Sequence, residues 1–268
     1  MAKALLAYLD ENGYGNLLIS EKQALDCIDE DTLLVVLDTH RPSFCESQEV
    51  YTNVLRTVVI DHHRKATDYI DNALVFYNET TASSTCEIIT ELWQYMGIGD
   101  MNIHIAEALM SGIMLDTKNF VLGTGVRTYE AAAYLRKCSA QPVTVKKLFS
   151  DSMAVYKSKY EVISSAEDYG EYVIAVNKNT DEFSRIASAQ AADELLGVNK
   201  VKASFVLFKN ADLVNVSARS YGEFNVQLIM EKLGGGGHKT MAACSLKTDS
   251  FEEATQLLKK AIQEYIEG

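Results

Sequence analysis

The sequence predicts an α/β protein in which a parallel-sheet lobe is joined by helices to a smaller α/β lobe. Two continuous apolar runs, Leu33–Leu37 and Thr57–Ile60, are typical of strands buried on both faces of a parallel sheet. Helical segments follow them, and strand-like runs return beyond Gly170. With 268 residues, 47% of them hydrophobic, the chain is long enough to fill two cores.

The first lobe begins with a predicted helix over Ala2–Leu9, which a turn rich in glycine and asparagine ends. Ser20 has the surroundings of a capping box and opens a second helix through Cys27. A loop and a short helix connect the two strands. Three later helices are predicted, the first of them opened by a capping box at Ser84; they span 84–95, 103–115 and 128–137.

A transition between the lobes is predicted within 140–170, where Pro142 precedes a stretch of helical spacing. We expect a first domain over 1–142, a helical connector over 143–169 and a second domain over 170–268. Strands of the second domain are expected at 172–176, 201–208, 214–219 and 241–246. Its helices are expected at 184–196, 225–233 and 251–266.

Composition limits the classes of partner and compartment. The net charge of -12 argues against long nucleic acid as a partner, because such binding needs clustered Lys and Arg. The five cysteines are scattered and form no Cys-x-x-Cys pair, which favours a reducing, cytoplasmic chain without disulfides. No apolar run approaches the ~20 residues of a membrane span, so we expect no membrane segment in this chain.

Carboxylates and imidazoles follow three elements at the point where each ends. Asp38 follows the first strand, Asp61, His62 and His63 follow the second, and Asp116 follows an apolar helix. In open α/β sheets such element ends converge on one crevice, so these side chains are candidates for one metal site. Oxygen and imidazole ligands favour Mn, Mg or Fe over a structural zinc. The alternative is that the aspartates merely end their elements.

The adjacent histidines are expected to have different roles. Side chains alternate across a strand, so His62 and His63 are predicted to point in different directions. One histidine would then bind metal and the other would contact substrate. We assign His63 and Asp61 to catalysis, with Asp61 fixing a histidine tautomer, as metal-bound histidines usually require. A loop cap is the alternative for Asp61.

A candidate phosphate site lies in the second lobe. Four consecutive glycines and His238 follow a helix, and backbone amides without side chains can approach an anion closely. Arg219, at the end of a strand, supplies a cation for the same phosphate. A flexible loop and a surface salt bridge are the alternatives. The substrate-binding candidates are Arg219, Gly235, Gly236, Gly237 and His238. Two softer expectations remain. His40 could reach a phosphate, or it could simply cap its loop. Lys118, Asn119 and Arg127 could line the crevice, or they could be ordinary exposed loop residues.

Taken in order, the motifs resemble those of the DHH phosphoesterase superfamily with its DHH-associated C-terminal domain. They are Asp38-Thr39-His40, Asp61-His62-His63, Leu115-Asp116-Thr117 and the run Gly234–His238. The flanking residues look most like cyclic-di-AMP phosphodiesterases of the GdpP type.

The resemblance implies a two-manganese site that hydrolyses cyclic di-AMP to the linear dinucleotide. Asp38 would bridge both ions, His62 and Asp116 would bind one, and His63 would contact substrate. Arg219 and the glycine run would hold the nucleotide. The full-length relatives are membrane-anchored, with this part in the cytosol.

One family motif has no counterpart here. Members begin the catalytic lobe with a strand that ends in His-x-x-x-Asp-x-Asp, and nothing before Asp38 matches it. We therefore expect an N-terminally truncated DHH domain, an unfilled place near the middle of the sheet and one well-bound ion or fewer. Hydrolysis by this chain alone is expected to be weak or absent, with nucleotide binding partly retained.

Two other functions stay open. One is a nanoRNase or oligonucleotide phosphatase of the same superfamily, acting on short linear dinucleotides. The other is a nucleotide-binding fragment whose metal centre no longer works. A family II pyrophosphatase is disfavoured, because the glycine run and Arg219 suit a nucleotide better than a lone phosphate pair. The sequence also leaves a homodimer open.

Overall fold

The computed structural model describes residues 2–97, 99–210 and 213–267. The chain divides into two compact units, Met1–Ser150 and Asp151–Gly268. We call them the first and the second unit. The predicted α/β class is confirmed in both. The finer division with a connector over 143–169 stays a prediction; of the helices there, α7 (Pro142–Leu148) lies in the first unit and α8 (Met153–Ser164) in the second.

The first unit contains a three-stranded parallel sheet in the order β1-β2-β3. Its strands are β1 (Leu33–Leu37), β2 (Arg56–Asp61) and β3 (Val75–Asn78). The register pairs the last residue of β1 with Ile60 and the last residue of β3 with Asp61. Because all three strands run the same way, their carboxyl ends lie at one edge of the sheet, where the candidate ligands follow.

One face of this sheet is buried and the other is open. Val36, Val59 and Ile70 form a small core on the first face. On the other face, Leu33, Val35 and Leu37 are 52%, 45% and 47% exposed. The prediction that β1 is buried on both faces is therefore wrong, because alternate side chains of the strand meet solvent.

The expected unfilled place near the middle of the sheet is also corrected. Among the described residues the three strands are contiguous, and the open position is the outer edge of β1, where no strand pairs. A cavity of about 880 Å³ lies along this strand. Side chains from α2 and α3 border it on one side, including Ala24 and Tyr51.

Helices complete the first unit. They are α1 (Ala2–Glu11), α2 (Glu21–Cys27), α3 (Gln48–Asn53), α4 (Thr85–Trp93), α5 (Ile103–Asp116), α6 (Val126–Lys137) and α7. The capping box at Ser20 is confirmed. At Ser84 only half of the predicted box forms, because the Ser84 hydroxyl accepts from the Glu87 amide while the Glu87 carboxylate accepts from Ser83. Ile113, Leu135 and Val145 lie at the centre of the helical core.

The second unit is a six-stranded mixed sheet in the order β4-β5-β6-β7-β9-β8. Its strands are β4 (Glu167–Asp168), β5 (Tyr172–Asn177), β6 (Ala203–Asn210), β7 (Leu213–Ser220), β8 (Gly236–Gly237) and β9 (Met241–Leu246). Its helices are α8, α9 (Ser184–Leu195), α10 (Val226–Lys232) and α11 (Phe251–Glu267). Separate apolar clusters pack on the two faces of the sheet, one around Phe205 and the other around Val206. Of the helices in the described ranges, none combines the length and the apolar character that a bilayer crossing requires.

Candidate functional site

Asp38 is held at the end of β1 by backbone and side-chain contacts. Its φ of +63° turns the chain away from the strand, a conformation that aspartate adopts more readily than most residues. Its amide donates to the Ile60 carbonyl at 3.1 Å. The Thr85 hydroxyl, on the first residue of α4, donates to Asp38 Oδ1 at 2.8 Å. The backbone of Asp38 and one oxygen of its carboxylate are therefore each held by a hydrogen bond.

His62 and His63 lie just beyond β2, which ends at Asp61. One ligand atom from each histidine and one from Asp38 all lie within 4.8 Å of one another. The two imidazole rings are 4.5 Å apart. The prediction that the histidines point in different directions is wrong, because strand alternation stops where the strand ends.

The His62 imidazole links the two candidate carboxylate ligands. Its Nε2 lies 3.5 Å from Asp38 Oδ1 and 3.9 Å from Asp116 Oδ2. Its other nitrogen, Nδ1, lies 3.3 Å from the Ala82 carbonyl oxygen, which orients the ring. Asp116 is the last residue of α5 rather than the residue after it. The structure thus brings together Asp38, His62 and Asp116, the predicted metal ligands.

The separations in this cluster fit a hard divalent cation. Two ligands held about 2.2 Å from an ion are about 3.1 Å apart at right angles and about 4.4 Å apart when opposite. The two distances from His62 Nε2 fall between these values. A thiol also lies near the site, which the sequence spacing had not indicated. Burial, helped by Asp116 and Asp38, raises the pKa of Cys86 to about 12, so this thiol is protonated at neutral pH in the metal-free chain.

Electrostatics within the cluster favour an added positive charge. Burial raises the pKa of Asp116, and the negative charge of Asp38 raises it further. Two carboxylates at one site repel each other, and a cation between them removes that repulsion. The donor set and its charge therefore both suit Mn, Mg or Fe.

Asp61 lies behind the histidines and is fully buried. Its Oδ1 accepts from His63 Nδ1 at 2.7 Å and from the backbone amides of His62 and His63 at 2.8 and 3.1 Å. Burial acts to raise the pKa of Asp61, but the hydrogen bonds from His63 and His40 outweigh it and hold the pKa well below its usual range. The bond to Asp61 raises the pKa of His63.

His40 corrects a softer expectation. It is not placed to reach a phosphate, because its side chain is buried and its Nδ1 contacts Asp61 Oδ2. The Arg127 side chain is also bound to another residue of the first unit. Its guanidinium binds Glu91 with two hydrogen bonds of 2.8 and 2.6 Å, and this pairing raises the pKa of Arg127. Beyond Asp116, Lys118 and Asn119 have left-handed backbones, with φ of 50° and 58°.

In the second unit, Arg219 lies on β7 and is buried rather than on the surface. Its Nε is 3.1 Å from Asp193 Oδ1, and its Nη1 donates to the Ala218 carbonyl at 2.9 Å. The alternative for Arg219 was a salt bridge at the surface. A salt bridge with Asp193 is present, but the Arg219 side chain is buried. This salt bridge fixes the direction of the guanidinium.

The glycine run includes β8, which pairs with β9, and at three of its positions the fold itself gives a reason for glycine. Gly234 ends α10 with φ +79°. A Cβ on Gly235 would lie 2.2 Å from the Ala243 carbonyl, and one on Gly237 would lie 2.5 Å from Ala242 Cα. For Gly236, no atom lies within 4 Å of that position. Only Gly236 is left without a structural reason to lack a side chain.

Three residues that support the site were missed by sequence reasoning. The Thr85 hydroxyl donates to Asp38, and the Ala82 carbonyl orients His62. The side-chain amide of Asn78 donates to the His63 carbonyl at 2.9 Å. Little in the sequence indicated these three contacts, because the two partners in each are at least 15 residues apart.

Comparisons with known proteins identify the family of the chain. Residues 2–113 match the DHH family, N-terminal domain, and residues 170–266 match the DHHA1 domain. The chain is 41% identical over 254 residues to the cyclic-di-AMP phosphodiesterase PdeA of Listeria monocytogenes, covering 94% of this chain and 39% of that protein. It is 44% identical over 254 residues to the cyclic-di-AMP phosphodiesterase GdpP of Geobacillus thermodenitrificans, covering 93% and 38%. The chain thus spans about two fifths of the length of these relatives.

A solved structure shares the fold. The exopolyphosphatase-related protein from Bacteroides fragilis superposes with a TM-score of 0.79 at 20% identity, covering 91% of this chain and 75% of that one. The two matched domains follow each other in the order that the motifs predicted. The chain therefore carries a DHH domain followed by a DHHA1 domain and belongs to the DHH superfamily.

Proposed function

We propose that these 268 residues form the hydrolytic region of a cyclic-di-AMP phosphodiesterase that uses manganese. The observation that carries the proposal is the cluster of Asp38, His62 and Asp116 in a chain whose relatives bear that name. The geometry supports metal-assisted phosphodiester hydrolysis better than nucleophilic catalysis by a side chain, because the cluster consists of carboxylate and imidazole ligands and Asp38 in it is half-exposed.

Each candidate site residue of the first unit has a proposed part in this reaction. Asp38, His62 and Asp116 hold the metal, which when bound acidifies water and polarises a phosphoryl oxygen. His63 contacts the substrate phosphate through Nε2, because its Nδ1 is held by Asp61. Asp61 orients both histidines and, being fully buried, reaches no substrate. We therefore assign Asp61 a positioning part in catalysis.

The second unit is proposed to bind the nucleotide. Arg219 would face a phosphate, with its direction set by Asp193. His238 is exposed beside the glycine run and offers a further donor. Gly235, Gly236 and Gly237 would present backbone to the ligand, and Gly236 is the one whose missing side chain the fold does not require.

We further propose that hydrolysis by residues 1–268 alone is weak, while nucleotide binding is partly retained. Within the described part of the chain, one group of three potential ligands has its ligand atoms within 4.8 Å of one another, namely Asp38, His62 and His63, and Asp116 Oδ2 lies 3.9 Å from His62 Nε2 beside it. The two-metal arrangement implied by the family resemblance needs further carboxylates. These residues alone are therefore expected to bind one manganese ion or fewer.

One experiment tests the proposal. Purified chain supplied with Mn²⁺ is assayed for metal content and for turnover of cyclic di-AMP and of the linear dinucleotide. Asp116→Ala removes a proposed ligand, and Asp26→Ala, at an exposed position on α2, is the matched control. We expect at most one ion per chain and slow cyclic-di-AMP turnover that Asp116→Ala abolishes and Asp26→Ala leaves unchanged.

Other outcomes contradict the proposal in distinct ways. Faster cleavage of the linear dinucleotide would indicate an oligonucleotide phosphatase. Tight binding of cyclic di-AMP without any turnover would indicate a binding fragment. Turnover that survives Asp116→Ala would show that the cluster is not the reaction site.

A further inference from the structure

A buried histidine that belongs to neither the metal ligands nor the substrate contacts lies behind the site. His40 is 3% exposed and packs edge-on against the Phe76 ring, with 6.2 Å between ring centres. Each of its ring nitrogens has a polar neighbour. Nδ1 contacts Asp61 Oδ2, and Nε2 lies 2.8 Å from the Ala66 amide nitrogen.

These two contacts determine the tautomer of His40. A backbone N–H can only donate, so His40 Nε2 must accept the bond from Ala66 and carries no proton. The ring proton is therefore on Nδ1, where it is donated to Asp61 Oδ2. His40 is thus a neutral imidazole that is held at both ends.

The same reasoning extends through Asp61 to the site. Its second oxygen, Oδ1, accepts from His63 Nδ1 and from two backbone amides. With His40 on Oδ2, both oxygens have donors and the carboxylate has one orientation. His63 then carries a proton on Nδ1, and Nε2 is the ring nitrogen that does not contact Asp61.

We propose that His40 is a positioning residue of this site: through Asp61 it fixes the tautomer of His63 and the placement of the His62–His63 turn. The role rests on the proposed function, since it concerns the same metal and substrate. A purely structural role for His40 would be to fill the core beside Phe76, and an apolar side chain would serve that equally well.

The test compares three variants in the metal-free and the manganese-titrated protein. His40→Asn keeps a donor toward Asp61, whereas His40→Leu removes it while filling similar space. His104→Leu is the control, because His104 is another partly buried histidine of the first unit, bonded through Nδ1 to Tyr8 at 2.5 Å. Long-range ¹H–¹⁵N NMR spectra report which ring nitrogen of each histidine carries the proton, and calorimetry reports the Mn²⁺ affinity.

In wild type, we expect Nδ1–H tautomers at both His40 and His63. His40→Leu should lose the defined His63 tautomer and weaken Mn²⁺ binding by about 10- to 100-fold, the usual cost of removing a group that orients a ligand. His40→Asn should stay within about threefold of wild type, and His104→Leu should match wild type in both readouts.

An Nε2–H tautomer at His40 in wild type would overturn the proposal, even if His40→Leu fails to fold. Equal losses in His40→Leu and His40→Asn would also overturn it, as would an unchanged His63 in His40→Leu. The tautomers are read without metal or nucleotide. A chain that does not hydrolyse cyclic di-AMP would therefore contradict the proposed function while leaving this inference standing.

Discussion

At the scale of single residues, the candidate metal site depends on contacts that hold ligands in place. Asp38 is half-exposed at the end of an edge strand, yet Thr85 fixes one of its oxygens. His62 is fixed in the same way by the Ala82 carbonyl. Such supporting groups determine how much of a ligand's motion is already lost before the ion binds.

Replacing Thr85 with valine should weaken Mn²⁺ binding by about 10- to 100-fold. Valine has the shape of threonine but cannot donate to Asp38. Thr85→Ser keeps the hydroxyl and should bind Mn²⁺ nearly as wild type does. Calorimetric titration of the three proteins decides, and equal affinity in wild type and Thr85→Val would contradict the assigned contact.

The Asp61 carboxylate should make stability fall in acid. Its pKa is lowered in the folded chain, so its contribution to stability is present above its unfolded pKa, about 3.9. That contribution is lost as the pH falls toward the folded pKa. Urea unfolding between pH 3 and 7 should therefore show a steeper acid loss in wild type than in Asp61→Asn. Parallel curves would contradict the prediction.

At the scale of elements, β8 combines a packing role with a proposed ligand role. Its two residues pair with β9, and Gly235, just before it, crosses close to the same strand. The fold therefore requires glycine at 235 and 237 and does not require it at 236.

The glycines offer a matched pair of substitutions. Gly235→Ala should destabilise the second unit by about 1–3 kcal/mol, because the new methyl group overlaps the Ala243 carbonyl. Gly236→Ala should change stability by less than about 0.5 kcal/mol and still reduce cyclic-di-AMP affinity. Thermal unfolding and calorimetry measure both effects. Unchanged nucleotide binding in Gly236→Ala would remove position 236 from the proposed site.

The sequence predicted most elements but not all of their environments. β1 and β2 were found because their apolar runs are continuous, whereas β3 was missed because Val75–Asn78 is only four residues long. The convergence of Asp38, His62 and Asp116 followed from the geometry of parallel strands and helix ends. The direction of His63 could not be predicted, because it depends on β2 ending at Asp61 and on the contact of Asp61 with His40.

At the scale of the whole molecule, an apolar sheet surface is exposed in spite of the net charge of -12. Leu33, Val35 and Leu37 lie on the open face, with Val75 and Tyr77 on the same side. β1 carries no charged residue or proline that would hinder edge pairing. Such a surface favours association.

We therefore expect the purified chain to self-associate as its concentration rises. Val35→Lys places a charge on the open face and should reduce the association without lowering the melting temperature, because Val35 is 45% exposed. Sedimentation velocity over a hundredfold range of concentration tests this. A wild-type chain that stays monomeric throughout would contradict the expectation.

The two units have separate cores, and all the predicted metal ligands lie in the first. In evolutionary terms, this separates two kinds of change. A substitution at Asp38 or Asp116, two of the proposed metal ligands, leaves the core around Phe205 untouched, so a descendant lineage can lose the proposed hydrolysis and keep the second unit folded. Likewise, a substitution in β7 or β8 leaves the helical core of the first unit untouched. If the proposed function is correct, selection can therefore act on turnover and on nucleotide recognition one at a time, which a single shared core would not permit.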